Sequence, residues 1–266
     1  RVLRATGSLY LHCDPTASHY LKIVLDAIFG PVNFVNEVVW KRSDAKGDAS
    51  GQGAKHFGRV NDIILAYSKL SGHNTFHPQF NELEDEYIKK WYRHKDPDGR
   101  RYKLDNMLGP GGAAKGNPSY EVMGVTRYWR YSRAHMTELI EQGRVIQTNP
   151  GTVPMYKRYL DESRGVPLTS NWSDIRPIHG WANEKLGYPT QKPLALLERI
   201  ISASSNPGDI VLDPFCGCGT AVHAAEKLGR GWIGIDITHL AVSLIERRMK
   251  DAFPGIAFDV HGTPKD

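Results

Sequence analysis

Between residues 209 and 236 the sequence spells a strand, a glycine turn, a helix and a second strand that ends in an acid. The first strand is the apolar run Ile210-Val211-Leu212, ending at Asp213. The turn is Pro214-Phe215-Cys216-Gly217-Cys218-Gly219, and Thr220 opens the helix. The second strand is Gly231-Trp232-Ile233-Gly234-Ile235-Asp236. A buried strand that turns tightly into a helix is the start of a βαβ unit. In open α/β sheets ligands bind at the carboxyl ends of such strands, where an acid about twenty residues past the glycines can take ribose hydroxyls. Gly217 and Gly219 let a ligand approach the main chain closely.

Three uses of the turn compete. A dinucleotide fingerprint needs a third glycine at position 222, which is Val222. A phosphate-cradling loop needs a lysine followed by Ser or Thr at the helix start, and no lysine stands there. The third use is a tight strand-helix turn with no ligand. Asp236, at the end of the next strand, argues against that last reading.

The α/β rhythm extends on both sides. Lys192-Pro193 opens a helix with Leu194, Leu197, Ile200 and Ile201 on one face, ended by Asn206-Pro207-Gly208. Strand 209–213, helix 219–228, strand 231–236, helix 239–250 and a last strand from Ile256 to Val260 are predicted. Near the start, residues 8–13 read as a strand. A helix follows, with Thr16 as its cap and an apolar stripe at Tyr20, Leu21, Val24, Leu25 and Ile28, stopped by Gly30-Pro31. Two β-rich runs, Phe34 to Lys41 and Val60 to Tyr67, flank a long Gly/Ser/Asp-rich loop at 43–58. From 70 to 180 periodicity weakens and basic residues interleave with aromatics. The expected fold is α/β, a doubly wound Rossmann-like sheet built from residues 1–69 and 181–266, with 70–180 as an inserted module.

Asp-Pro-Phe-Cys-Gly-Cys-Gly-Thr at 213–220, followed by Gly-Trp-Ile-Gly-Ile-Asp at 231–236, resembles the first two motifs of the DNA N6-adenine/N4-cytosine methyltransferases. Tyr188-Pro189-Thr190-Gln191-Lys192-Pro193 is similar to the motif that this family carries just upstream of the glycine turn. A lysine and helix-start amides suit a carboxylate. The order matches the permuted, beta-type members. Asn36 to Arg42 and Asp62 to Lys69 resemble their sheet-edge strands. The resemblance implies a doubly wound S-adenosylmethionine-dependent methyltransferase sheet with an inserted target-recognition module. It implies that Asp213, Pro214, Phe215, Cys216, Gly217, Gly219, Thr220, Asp236, Ile237, Thr190, Gln191 and Lys192 surround the cofactor. It further implies a restriction-modification setting, double-stranded DNA as partner with the target base flipped out, and a cytoplasmic, prokaryotic or phage-encoded protein. A homodimer and a restriction nuclease partner are compatible with it.

The family's target-base motif, a polar residue followed by Pro-Pro and an aromatic, is missing: the sequence contains no Pro-Pro pair. By family order it belongs some tens of residues before Arg1. Arg1 is not a natural start residue, so a fragment or a trimmed form is expected. The one lookalike is Asn117-Pro118-Ser119-Tyr120, which follows no strand-like run; a turn built on Asn-Pro is the plainer reading. The catalytic residues are therefore unknown. Cytosine C5 chemistry is disfavoured, because in its family the nucleophilic cysteine usually follows a proline, and none of Cys13, Cys216 or Cys218 does.

The inserted module holds Lys89-Lys90-Trp91-Tyr92-Arg93 and Arg127-Tyr128-Trp129-Arg130-Tyr131-Ser132-Arg133. Basic and aromatic residues together suit phosphate contacts and stacking. Arg127, Arg130 and Arg133 are spaced so that a helix would show them on one face. With Trp129 and Lys41 they are the candidate DNA-binding residues. The alternative is a solvated basic surface with Trp129 and Tyr131 packed inward, and Glu82, Glu84, Asp85 and Glu86 argue against a uniformly positive module.

Composition limits the remaining choices. The formal net charge of +5 permits an anionic partner without demanding one. Three cysteines cannot make a disulfide framework and suit a reducing compartment, and no ligand spacing for a metal is present. No apolar run reaches membrane-spanning length. The favoured reaction is methyl transfer to an exocyclic amine, adenine N6 ahead of cytosine N4. The rivals are a non-catalytic S-adenosylmethionine- and DNA-binding subunit and an RNA methyltransferase.

Overall fold

The structure is a computed structural model, and it describes residues 2–43, 55–182 and 184–262. The chain forms two compact units, one of residues 1–79 with 168–266 and one of residues 80–167. These boundaries fall inside the 70–180 stretch picked out by composition. Most of the 43–58 loop, positions 44–54, lies outside the described residues.

In chain order, β1 (Ser8–Cys13) leads through α1 (Pro15–Phe29) to β2 (Phe34–Lys41) and β3 (Asn61–Ser68). The second unit contributes β4 (Phe80–Asn81), α2 (Asp85–Trp91), β5 (His94–Lys95), β6 (Arg101–Asn106), β7 (Ser119–Val122) and β8 (Val125–Tyr128). It continues with α3 (Arg133–Glu141), β9 (Val145–Ile146), β10 (Met155–Tyr159) and β11 (Val166–Pro167). The first unit resumes with β12 (Asn171–Trp172), α4 (Leu194–Ser204), β13 (Ile210–Asp213), α5 (Thr220–Lys227), β14 (Gly231–Gly234) and α6 (His239–Ala252).

The first unit holds a four-stranded sheet in the order β1-β3-β2-β12 and a separate parallel pair, β13-β14. β3 runs antiparallel to both β1 and β2, and β12 runs parallel to β2. Both faces of β3 are covered, so its side chains are buried almost without interruption. On one face Leu65 and Tyr67 pack with Leu25 of α1. On the other, Ile64 packs with Val38, Trp40, Trp172, Ile175 and Leu196 of α4.

The doubly wound rhythm appears in β13-α5-β14-α6. Val211 and Trp232 pack inward against Ile201, Ala224 and Ala225, while Ile210, Leu212 and Ile233 of the same two strands stay exposed.

Three expectations need correction. The cap of α1 is Asp14, whose Oδ1 accepts from the Thr16 amide at 2.8 Å, because an extended Asp before Pro15 reaches the first free N–H. Only Leu21 and Leu25 of the expected stripe face the sheet, and Tyr20, Val24 and Ile28 are exposed. Residues 256–260 form no strand: Pro254-Gly255 turns the chain, and Ile256 and Phe258 instead cover the cluster of Cys216, Val222, Ile245 and Met249. No helix among the described residues is long and apolar enough to cross a membrane.

Candidate functional site

The glycine turn is built from the ends of β13 and β14. The Ile235 amide donates to the Asp213 carbonyl at 2.9 Å and the Cys216 amide to the Ile235 carbonyl at 3.0 Å, so the turn stays bonded to the second strand past the end of the ladder. Gly217 and Gly219 both take positive φ, 52° and 74°. A side chain at Gly219 would press its Cβ to 2.7 Å from Ile245, and one at Gly217 would meet the Tyr188 ring at 3.1 Å. Val222, which breaks the dinucleotide fingerprint, has its own physical answer. Its methyl packs where a Cβ on Gly234 would come within 2.8 Å, so the close helix-strand approach is supplied by a glycine on the strand.

Two carboxylates end the two strands. Asp236 accepts from the Gly217 amide at 2.9 Å through Oδ2, and from the Thr238 amide and hydroxyl at 2.9 and 2.8 Å through Oδ1. Burial opposes its ionisation, but the hydrogen bonds from Thr238, Gly217 and Ile237 outweigh it and hold the carboxyl below its ordinary value. Asp213 moves the other way. Burial raises it, the Phe215 amide partly offsets this, and nearby Asp236 adds to the rise. Burial, with the Asp213 and Asp236 charges, also pushes the Cys216 thiol up to about 12, so it is no nucleophile. Beside the acids Phe215 is 86% exposed and Ile237 wholly exposed, two apolar side chains free to flank a planar ligand. Pro214 is exposed, and Thr220 is buried at the start of α5.

The 184–193 segment closes on this turn through the Tyr188 ring. Gln191 is committed to the segment itself: its Oε1 accepts from the Leu186 amide at 2.8 Å, and its Nε2 donates to the Glu184 carbonyl. Its side chain shapes the loop. Thr190 is exposed, and Lys192 folds its ammonium back onto the Thr190 carbonyl at 3.1 Å. Glu184 accepts from the Leu194 amide at 2.9 Å at the start of α4.

A polar cluster that the sequence did not announce lies where β1 and β2 end. His12 Nε2 meets Asp62 Oδ2 at 2.8 Å, Arg42 Nε meets Asp62 Oδ1 at 3.1 Å, and the His12 ring stands edge-on to Trp40. Lys41, the adjacent candidate, is half-buried at the end of β2. Arg248 was missed too. Beside Arg247 and Lys250 on an amphipathic helix it reads as solvated, yet it is buried beneath the glycine turn.

In the second unit several candidates change role. Residues 125–128 form a strand of the β7-β8 hairpin, so Arg127, Arg130 and Arg133 do not share a helix face. They lie on β8, just after it and at the start of α3; all three are exposed and make no ion pair among the described residues. Trp129 is fully buried, its Nε1 donating to the Tyr120 carbonyl at 2.7 Å, which removes it as a stacking surface. The Asn117 to Tyr120 lookalike is architectural. Asn117 Nδ2 donates to the carbonyls of Pro110 and Gly112 at 3.0 Å each, and Pro118 gives its carbonyl to the Trp129 amide. Tyr120 is buried, with its hydroxyl on the Tyr131 carbonyl. Four other cations of this unit are neutralised, Arg144 and Arg100 by Glu162, Lys157 by Asp96, and Arg158 by Asp105, whereas Lys89, Lys90 and Arg93 are exposed and make no ion pair among the described residues.

A glycine turn between parallel strands, with an acid at the end of the second strand, defines the ligand-binding half of a nucleotide-type α/β protein. The profile of the DNA methylase family, N6/N4 type, matches residues 1–247. The chain belongs to that family. It is 32% identical over 250 residues to the type II methyltransferase M.EcaI of Enterobacter cloacae, covering 93% of this chain and 54% of that protein. It is 28% identical over 247 residues to the Mod subunit of the type III restriction-modification enzyme StyLTI of Salmonella typhimurium, covering 86% of this chain and 36% of that one. The chain thus spans about half the length of the first relative and about a third of the second. Among solved structures it is similar to the M1.HpyAVI-SAM complex, with a TM-score of 0.45 and 19% identity over 93% of this chain and 76% of that one.

Proposed function

We propose that the chain is the cofactor-binding and DNA-contacting part of an S-adenosylmethionine-dependent DNA amino-methyltransferase. The observation that carries the reading is Asp236, an ionised carboxylate held by the Gly217 amide at the mouth of the glycine turn. The residues fit an adenosine-bearing cofactor. Asp236 would take the ribose hydroxyls, Phe215 and Ile237 would flank the base, and the Gly217 to Thr220 backbone with Thr190 and Lys192 would receive the methionine end.

When bound, S-adenosylmethionine supplies a methyl group on a sulfonium, which the lone pair of a base amine attacks as the carbon–sulfur bond breaks. The chain's own work is alignment, since orienting donor and acceptor can lower a barrier by several kcal/mol. The amine is hidden in a duplex, so the base must leave the stack to be reached. The acceptor is an exocyclic amine, adenine N6 ahead of cytosine N4. Duplex DNA is the partner, with Arg127, Arg130 and Arg133 among the exposed cations without an acid that would meet phosphate.

A second reading is favoured by one observation. The only lookalike of the target-base motif is used up in turn and core contacts, so the chain by itself suits a subunit that binds cofactor and DNA without transferring methyl. Calorimetry with S-adenosylmethionine and a salt titration with duplex DNA test both binding arms, and absence of cofactor binding would overturn both readings. Nucleoside digestion after methyl transfer by the whole protein separates N6-methyladenine from N4-methylcytosine and DNA from RNA as substrate.

A further inference from the structure

Arg248 brings a charge inside the protein without a counter-ion in contact. It projects from α6 and is 9% exposed. Its Nη1 donates to the Cys218 carbonyl and to the Thr220 hydroxyl, 3.2 Å each, and its Nε donates to His223 Nδ1 at 3.2 Å. All three acceptors are neutral, and Arg248 makes no ion pair among the described residues. Glu184 is the acid that acts on it through space, and that carboxylate is bonded to the Leu194 amide. A buried cation of this kind costs stability. Replacing it with an apolar residue would relieve that cost unless the turn needs the donors.

The three acceptors explain the need. Cys218 lies between the two positive-φ glycines, and Thr220 opens α5. Arg248 therefore fixes the carbonyl in the middle of the glycine turn and the first side chain of the helix, while Asp236 holds the Gly217 amide of the same turn. Its third bond carries a condition. His223 Nδ1 can accept only while unprotonated. The groups that face His223 are Arg248 from α6, Lys227 on its own helix, Glu198 from α4, and the Phe253 ring with its centroid 5.0 Å away. Burial, Arg248 and Lys227 all disfavour the imidazolium, and Glu198 opposes them. A proton on Nδ1 would set two cations against each other at 3.2 Å and strip Arg248 of an acceptor.

We propose that Arg248 is a positioning residue of the cofactor turn, locked in place by neutral His223, so that protonating His223 loosens the turn and weakens cofactor binding. The inference rests on the reading of this turn as the S-adenosylmethionine site.

The test is calorimetric titration of the protein with S-adenosylmethionine from about pH 8 down to about pH 4.5, past the ordinary histidine range because His223 is held below it. A wild-type affinity that stays flat over that range would overturn the proposal. Losing a charge-assisted hydrogen bond predicts that Arg248→Leu binds about tenfold more weakly at the upper end and loses its histidine-linked pH dependence. Arg248→Lys should recover part of the affinity. His223→Gln, which keeps a neutral acceptor, should bind as the wild type does at the upper end and stay flat as the pH falls, isolating His223 from Asp213. Circular dichroism identifies any variant that fails to fold; then the His223→Gln profile decides. A His223→Gln profile that falls as the wild type's does would overturn the proposal, as would a folded Arg248→Leu with unchanged affinity. A wild-type protein that binds no cofactor at any pH would instead overturn the reading of the site itself.

Discussion

Asp236 and Gly217 are joined across 2.9 Å, carboxylate to backbone N–H, although nineteen residues separate them. The acid at the end of one strand thus braces the glycine turn at the end of the other. Asp236→Ala removes the acceptor for Gly217 and Thr238 together with the proposed ribose contact. S-adenosylmethionine affinity should fall by roughly 1.5–3 kcal/mol, the worth of a charged hydrogen bond. Asp236→Asn keeps an acceptor oxygen and should fall between the two. Calorimetry giving equal affinities for the three folded proteins would remove Asp236 from the site.

Arginines of the second unit divide by partner. Arg144 is bonded to Glu162, whereas Arg127 and Arg130 are exposed without an acid. Each phosphate-contacting cation contributes about one unit to the slope of log affinity against log salt. Arg127→Ala with Arg130→Ala should weaken duplex binding and flatten that slope by about two. Arg144→Ala, whose charge is already matched, should leave the slope unchanged. An unaltered slope in the double variant would place the DNA elsewhere.

The same pairings set an acid limit. Bonds from Arg144 and then Arg100 pull Glu162 down to about 2, and Lys157, then Tyr159, hold Asp96 below its ordinary value. Groups depressed in the folded state stabilise it above their unfolded pKa, and that contribution is lost as pH falls through the folded one. Melting temperature should therefore drop between about pH 4, the ordinary carboxylate range, and about pH 2. Glu162→Gln should show a smaller drop across that window. A variant with an unchanged pH profile would show that these bonds do not couple to folding.

The glycine turn, both flanking strands and their acids were legible because each is punctuated locally: glycines where φ must be positive, and short apolar runs for the strands, although only one face of each packs inward. The second unit was less so. Arg127 to Arg133 carries a helical spacing of charges, but Val122 and Val125 bury on either side of Met123-Gly124, and that hairpin decides the structure. Trp129 looked like a DNA-facing aromatic until its burial with Met107 and Met136 outweighed the basic neighbours. Gly234 looked like an ordinary strand residue, and only the packing of Val222 shows why a side chain is excluded there. Arg248 and Asp62 escaped because their partners lie far along the chain, on elements that meet only when folded.

A protein of these 266 residues should bind S-adenosylmethionine and leave DNA unmethylated. The donor side is nearly complete, with its glycine turn, its acid and the 188–193 loop against Gly217. On the acceptor side the sequence holds no Pro-Pro-aromatic loop, and Asn117 cannot substitute for one. Its Nδ2 already binds two loop carbonyls, and Tyr120, the ring that would stack on a base, is buried against Trp129. Without an aligned amine the barrier rises by several kcal/mol, and each 1.4 kcal/mol is about a factor of ten in rate. A radiolabelled methyl-transfer assay on mixed-sequence duplex DNA should read background, and Asn117→Ala should not change it. Robust transfer that Asn117→Ala abolishes would make the Gly109 to Tyr120 loop catalytic after all. Robust transfer that survives the substitution would send the search to His12, Asp62 and Arg42 at the ends of the neighbouring strands.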